Sequence, residues 1–256
     1  MSKLDVHMFP ALSDNYCYLI HDGEAGLTGV IDTPDVPAIE KALRDTGWTL
    51  THILNTHHHA DHAGGNLELK EKTGCTIVGS ARDATRIPGI DIQLSDGDLF
   101  EFGSHKARVL DVSGHTIGHI AYWFEEDGVA FVGDALFVLG CGRLFEGTPE
   151  MMWGSLQKLM ALPDDTIVYC AHEYTAANAK FALSVEPHNE TLIERSKEID
   201  ALRARNEPTV PTTIGKEKAT NPFLRPSSAD LQATIGCTGA PLVDVFAETR
   251  RLKDHF

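Results

Sequence analysis

The sequence predicts an α/β chain of 256 residues with two sheet-forming halves and a helical tail. Three observations carry that expectation. Short apolar runs separated by turn signals dominate the first two-thirds. Beyond residue 170 the apolar residues recur at helical spacing instead. The composition, 42% hydrophobic and 23% charged, is that of a soluble globular chain long enough for one large domain or a domain with an appendage.

The first half reads as strands at residues 15–21, 29–32, 52–55 and 76–79, with a helix at 36–46. A second set of strands follows at 99–102, 107–112, 119–124, 129–132 and 166–170. Asp96-Gly97-Asp98 and Asp127-Gly128 are turn signals within that set. A helix over about 150–162 opens after Pro149 and stops at Pro163. In the tail, 174–185 and 190–206 read as helices, the second with Leu192, Ile199 and Leu202 on one face. A looser stretch rich in Pro and Thr covers 207–226, and a last helix covers about 243–253.

Several classes are disfavoured. No apolar run approaches the length of a transmembrane helix, and the N-terminus has no signal-peptide core, so the expectation is a cytoplasmic chain without a membrane partner. The five cysteines (Cys17, Cys75, Cys141, Cys170, Cys237) are scattered, without a Cys-x-x-Cys pair, and are expected to be reduced and mostly buried. A net charge of −15 opposes nucleic acid as a partner, because phosphate binding draws on basic surface.

The chemistry is concentrated in Thr56-His57-His58-His59-Ala60-Asp61-His62, directly after an apolar run. Imidazole nitrogens and carboxylates are the ligands that borderline divalent ions accept, and a turn leaving a strand end can aim several at one point. Three later residues sit just beyond predicted strands: His115, Asp134 and His172. Each alone reads more readily as a hydrogen-bonded core histidine or, for Asp134, a turn residue. Together with the run they point to a metal site at one edge of a sheet layer.

Thr56, His57, His59, Asp61 and His62 match the Thr-His-x-His-x-Asp-His signature, and in this the chain resembles the metallo-β-lactamase superfamily. Within it the chain is most similar to glyoxalase II, the hydroxyacylglutathione hydrolases. That likeness runs through Ser13-Asp14-Asn15-Tyr16, the segment 139–148 containing Gly140-Cys141-Gly142-Arg143, Ala171-His172-Glu173-Tyr174-Thr175, and Asn221-Pro222-Phe223-Leu224-Arg225. The resemblance implies an αββα sandwich over residues 1–173 and a helical substrate-binding domain over 174–256. It assigns His57, His59 and His115 to one divalent ion and Asp61, His62 and His172 to another, with Asp134 bridging. Asp61 and Asp134 are thereby expected to be catalytic as well as metal-binding. His58 is not a signature position and is expected behind the ligands or in solvent. The remaining histidines, His119 among them, carry no expected chemistry.

The resemblance further implies two ions per chain, Zn²⁺ with Fe or Mn as alternatives. The expected reaction is hydrolysis of an S-(2-hydroxyacyl)glutathione, typically S-lactoylglutathione, by a metal-bridging hydroxide. Glutathione is anionic, so this acidic chain needs a local cationic pocket. By position Arg250 and Lys253 would meet the glycine carboxylate, while Arg143 and Tyr174 would contact the tripeptide. Cations at a helix C-terminus are also favoured by the macrodipole without any ligand. Phe145 departs from the pattern, standing where some members carry Tyr. The expected partner is the small thioester alone, acting on a monomer. The rival readings are a true β-lactamase, an RNA-processing nuclease, a mononuclear persulfide dioxygenase and a flavodiiron-type module. They are disfavoured respectively by Asp134 and the missing secretion signal, by the acidic charge, by the helical tail, and by Ala60 where a carboxylate is needed.

Overall fold

A computed structural model describes residues 3–256; the first two residues of the expected 1–173 domain lie outside it. The chain divides into two compact units, Met1–Asp111 with Ile117–Gly133, and Val112–Thr116 with Asp134–Phe256.

In the first unit β1 (Asp5–Ala11), β2 (Asn15–Asp22) and β3 (Leu27–Ile31) form an antiparallel meander. The sheet continues in parallel through β4 (His52–Leu54), β5 (Thr76–Ser80) and β6 (Ile92–Leu94), in the order β1-β2-β3-β4-β5-β6. Parallel pairing needs crossovers, supplied by α1 (Val36–Thr46), by α2 (Ala60–Ala63) with α3 (Asn66–Thr73), and by a 3₁₀ turn at Ala81–Asp83. The bounds of α1 match those expected because its signals are strong. Asp35 caps Ala38 N at 3.3 Å, Pro37 sits in the first turn, and Gly47 ends the helix at φ 74°. Its Val36, Ile39 and Ala42 pack with Leu19, Val30, Ile53 and Ile77 of the sheet.

The unit's other strands, β7 (Leu99–Phe102), β8 (His105–Asp111), β9 (Ile120–Phe124) and β10 (Val129–Gly133), are antiparallel neighbours in that order. They face the first sheet: the Tyr18 and Phe131 rings lie 5.5 Å apart, His52 meets Phe102 at 5.5 Å, and Tyr122 donates to Asn55 O at 2.9 Å. The core lies between these layers. At the carboxyl ends of β3, β4 and β5 the chain leaves at Asp32, at the histidine run and at Asp83, the edge where α/β sheets open a crevice for ligands.

In the second unit β11 (Leu136–Phe137) and β12 (Gly140–Cys141) make a small hairpin, followed by α4 (Pro149–Met160) capped by Thr148, and β13 (Ile167–Cys170). The tail holds α5 (Thr175–Val185), α6 (Glu190–Ala204), β14 (Thr212–Thr213) paired with β13, α7 (Ile214–Thr220), a 3₁₀ turn at Pro222–Leu224, α8 (Ala229–Thr234) and α9 (Leu242–Asp254). The looser stretch expected at 207–226 therefore contains a strand and a helix. Both gather around the buried Glu217 carboxylate, which accepts from Arg195 and Thr212 on one oxygen and from Leu139 N and Asn221 Nδ2 on the other. Asn221 Nδ2 also reaches Phe137 O and Gly140 O. The α4 to α9 core is aromatic, with Phe181, Phe223, Phe246 and Trp153 in successive contact at about 6 Å. No helix among the described residues is long and apolar enough to cross a membrane.

Candidate metal centre

The first unit supplies His57, His59, Asp61 and His62 from one turn after β4. His57 is fully buried, with its ring centroid 4.0 Å from that of His62 and 4.7 Å from that of His59. Such packing of imidazoles requires fixed orientations, and Asp32 fixes two of them. Its carboxylate accepts from Thr56 N at 2.8 Å, Thr56 Oγ1 at 2.7 Å and His62 Nδ1 at 2.8 Å. Because Thr56 spends its hydroxyl hydrogen on Asp32, its oxygen accepts from His57 Nδ1, 3.1 Å away. Both rings therefore carry hydrogen on Nδ1 and turn a bare Nε2 outward. The supporting backbone is equally specified: Asp32 takes the left-handed conformation at φ 60°, and Asn55 and Thr33 N both donate to His62 O. Gly133 lies at φ 50°, and a Cβ there would stand 2.6 Å from Thr56 Oγ1 and 2.9 Å from His119. His119, without expected chemistry, stacks on His57 at 4.6 Å. His58 turns away from the ligand nitrogens to the buried Asp83.

The second unit supplies His115, Asp134 and His172, all buried. His115 Nδ1 donates to Arg143 O at 2.8 Å, leaving Nε2 as the lone-pair nitrogen. That nitrogen is 3.4 Å from Asp134 Oδ2, and His172 Nε2 is 3.3 Å from Asp134 Oδ1. Each carboxylate oxygen therefore faces a different imidazole. Phe145 sets its ring edge against His115 at 5.1 Å, while Tyr174 lies flat on His172 at 4.8 Å and 3°.

The donor chemistry fits a cation. His115 Nε2 and Asp134 Oδ2 are both acceptors, as are His62 Nε2 and Asp61 Oδ2 at 3.6 Å, and acceptors at such separations repel unless positive charge lies between them. Ligands held about 2.0–2.1 Å from a tetrahedral ion stand about 3.3 Å apart. The thiols are no competitors: burial pushes Cys141 up to about 11 and Cys170 up to about 12, away from the thiolate a metal would need.

The cations expected to read the substrate are placed unequally. Arg143 is exposed, 3.9 Å from Asp254. Arg250 is buried, donating to Cys141 O at 2.9 Å, paired with Asp254 at 2.8 Å and 4.9 Å above the Phe223 ring. Lys253 Nζ reaches Ala177 O at 3.3 Å and lies 5.4 Å from the Phe181 and Phe256 rings. Tyr174 and Phe145 are both exposed.

Two family models cover almost the whole chain, the metallo-beta-lactamase superfamily over residues 12–172 and the hydroxyacylglutathione hydrolase C-terminus over 173–256. Proteins named hydroxyacylglutathione hydrolase from Methylococcus capsulatus and Rhodospirillum rubrum are 55% and 54% identical to it. The first match covers 99% of both chains and the second all of both. The chain belongs to the hydroxyacylglutathione hydrolase family. Among solved structures, ETHE1 from Myxococcus xanthus matches 96% of this chain and 98% of its own, with 28% identity and a TM-score of 0.67. Membership carries with it the superfamily's α/β fold with a C-terminal helical region, and a divalent metal site built on the His/Asp clusters. The residues that sequence reasoning missed are those that support the donor side chains. Asp32 carried the same signal that singled out Asp134 and His172, a polar residue at a strand end. Asp83 carried none, since a charged residue in a polar turn reads as solvated.

Proposed function

We propose that the chain hydrolyses S-(2-hydroxyacyl)glutathione thioesters, typically S-lactoylglutathione, to a 2-hydroxy acid and glutathione, using two divalent ions. The observation that carries this reading is Asp134, whose two oxygens face His115 and His172 separately, the arrangement a carboxylate shared by two ions requires. Each unit offers donors for it: His57, His59, Asp61 and His62 in the first, and His115, Asp134 and His172 in the second. Zn²⁺ suits these nitrogen and oxygen donors, and Fe or Mn would too. A protein 26% identical has been solved in a di-iron-bound form.

When bound, such a pair lowers the pKa of water to about 7 and polarises a carbonyl oxygen. The residues orient the rest. Asp32 and the Arg143 carbonyl hold the imidazoles in the ligating tautomer. Water adds to the acyl carbon, the C–S bond breaks, and sulfur departs with its electron pair. An ordinary thiol has a pKa of about 8.5, so thiolate leaves without a dedicated acid. Arg143, Tyr174, Lys253 and Arg250 bind the tripeptide, with the two carboxylates of glutathione drawn to these cations in an acidic chain. Arg250 keeps one buried N–H, Nε, without a protein acceptor, in keeping with a ligand oxygen completing its set. Residues 1–173 act as the catalytic domain and 174–256 as the substrate-binding domain of a cytoplasmic monomer.

The test is metal analysis of protein purified without added metal, alongside hydrolysis of several acyl-glutathiones. Two ions per chain and turnover that stops with chelation and returns with Zn²⁺ are expected. Thioester hydrolysis insensitive to chelators would sink the reading.

A further inference from the structure

The histidine inside the run that is not a signature position is anchored to a buried carboxylate. His58 Nδ1 lies 3.0 Å from Asp83 Oδ2, and only 17% of its side chain is exposed. Asp83 is fully buried, in the 3₁₀ turn at the carboxyl end of β5. A buried carboxylate needs compensation, and Arg86 provides it by donating through Nε at 3.1 Å and through a second guanidinium nitrogen to Oδ1. The other oxygen is left to His58. A third segment closes on the same group: a Cβ on Gly118 would overlap the Asp83 carboxylate. Gly118 directly precedes His119, whose ring stacks on His57. One carboxylate thus touches the loop that carries the ligands, the turn after β5 and the turn that backs His57.

We propose that Asp83 is a positioning residue for the metal centre: through His58 it fixes the backbone between His57 and His59, and so the affinity of the ion those two would hold. The inference rests on the dinuclear reading above. Two side chains flanking a residue cannot choose their backbone torsions freely once the middle one is tied down. His57 Nε2 and His59 Nδ1, 3.0 Å apart, use opposite ring nitrogens. Their convergence therefore depends on the conformation of the loop that carries both rings. His62 and Asp61 follow in α2 and have their own support in Asp32 and Asn15. The effect of Asp83 should fall on one ion more than on the other.

The full chain is prepared metal-free as wild type, Asp83→Ala, Asp83→Asn, His58→Phe and Gly118→Ala, and each is titrated with Zn²⁺ against a chromophoric chelator. The melting midpoint of each metal-free protein is measured in parallel. Supporting partners of ligating groups are worth about 10- to 100-fold in metal affinity. Asp83→Ala, His58→Phe and Gly118→Ala are each expected to lose that much for one ion while the second stays within about threefold. Asp83→Asn should recover part of the loss, since its single amide oxygen can still accept from His58 while its NH2 group replaces the oxygen that faces Arg86. If one variant fails to fold, the others read the same quantity. Two ions bound by wild type and bound equally tightly by His58→Phe and Asp83→Ala would overturn the inference. So would affinities for both ions falling together in step with the melting midpoint, which would make the contact purely structural. A wild type that binds no ion would instead overturn the dinuclear reading.

Discussion

The two units hold their donors in opposite ways. In the first, four donors lie within six residues of one turn, and the fold's effort goes into stopping a crowded loop from relaxing: Asp32 clamps Thr56 and His62, and Asp83 clamps His58. In the second, His115, Asp134 and His172 come from three separate strand ends, and each is held by what lies beside it. A backbone carbonyl holds His115, Tyr174 stacks on His172, and Asp134 lies between the two imidazoles. A dense motif needs distant carboxylates to hold it open, whereas dispersed ligands inherit the rigidity of the strands that carry them.

Removing the centre of the second set should have the largest effect. Asp134→Ala takes away charge that both ions would share, so metal content and kcat/KM should fall together, by more than about 100-fold in line with loss of a ligand rather than its support. A variant with two ions per chain and near-normal turnover would refute the shared carboxylate. Next comes Asp32→Ala, which leaves three buried donors without their acceptor. Metal affinity should drop by about 10- to 100-fold, with stability falling by about 1–3 kcal/mol per stranded group that water does not reach. Chelator competition and urea denaturation read the two effects separately. If Asp32→Ala proves harmless while Asp134→Ala is severe, the crowded loop holds its own shape.

How far the sequence reached follows the same division. The histidine run stood out because its residue types are unusual and its spacing is local, and His115, Asp134 and His172 stood out as polar residues just beyond strands. The α1 boundaries were legible through Asp35, Pro37 and Gly47. The strand β1 escaped because Pro10 lies inside it, which an edge strand tolerates. The helix α3 escaped because only Asn66 and Leu69 are buried, leaving no apolar stripe. The helix α7, with Gly215 and two Thr beside or within seven residues, is held by the Glu217 network, a long-range fact no local pattern records. Asp83 belongs to that class too.

The cations offer a finer comparison. Arg250→Ala should act first on stability, because it strands the buried Cys141 O and removes the partner of Asp254 at the surface; a charged hydrogen bond is worth about 1.5–3 kcal/mol. Lys253→Ala should act mainly on KM, by about tenfold, at the lower end of that range. Burial, then Arg250 and Arg143, push the Lys253 ammonium below its usual value, against Asp254. The sign follows. Since the folded state releases this proton first, stability gains as pH rises from the folded value to the ordinary one, while binding of the anionic substrate weakens over the same window. KM for the glutathione thioester should rise there in wild type and stay flat in Lys253→Ala; a parallel rise in both would exonerate Lys253.

The smallest effect is kinetic. Burial raises the thiols of Cys17 and Cys75 in the first unit and of Cys141 and Cys170 in the second above the ordinary value. A disulfide reagent at pH 8 should therefore modify Cys237 alone at first, since it is only half-buried. The order in which the other four follow reports which unit opens more readily. Prompt labelling of all five would contradict the packing of both.

Glu217 sets a limit on how this chain can be recombined. Its carboxylate receives the Leu139 N–H, and its neighbour Asn221 feeds the Phe137 and Gly140 carbonyls, so residues of the last third complete the hydrogen bonding of a hairpin that precedes them by some eighty positions. A chimera joined at residue 173 with a foreign tail would keep every candidate metal-binding residue yet orphan three backbone groups, at about 1–3 kcal/mol each, a large share of the roughly 5–15 kcal/mol that holds a domain folded. The heritable unit of exchange is consequently the tail together with residues 134–143. Engineers swapping tails between relatives should move the two pieces as one cassette.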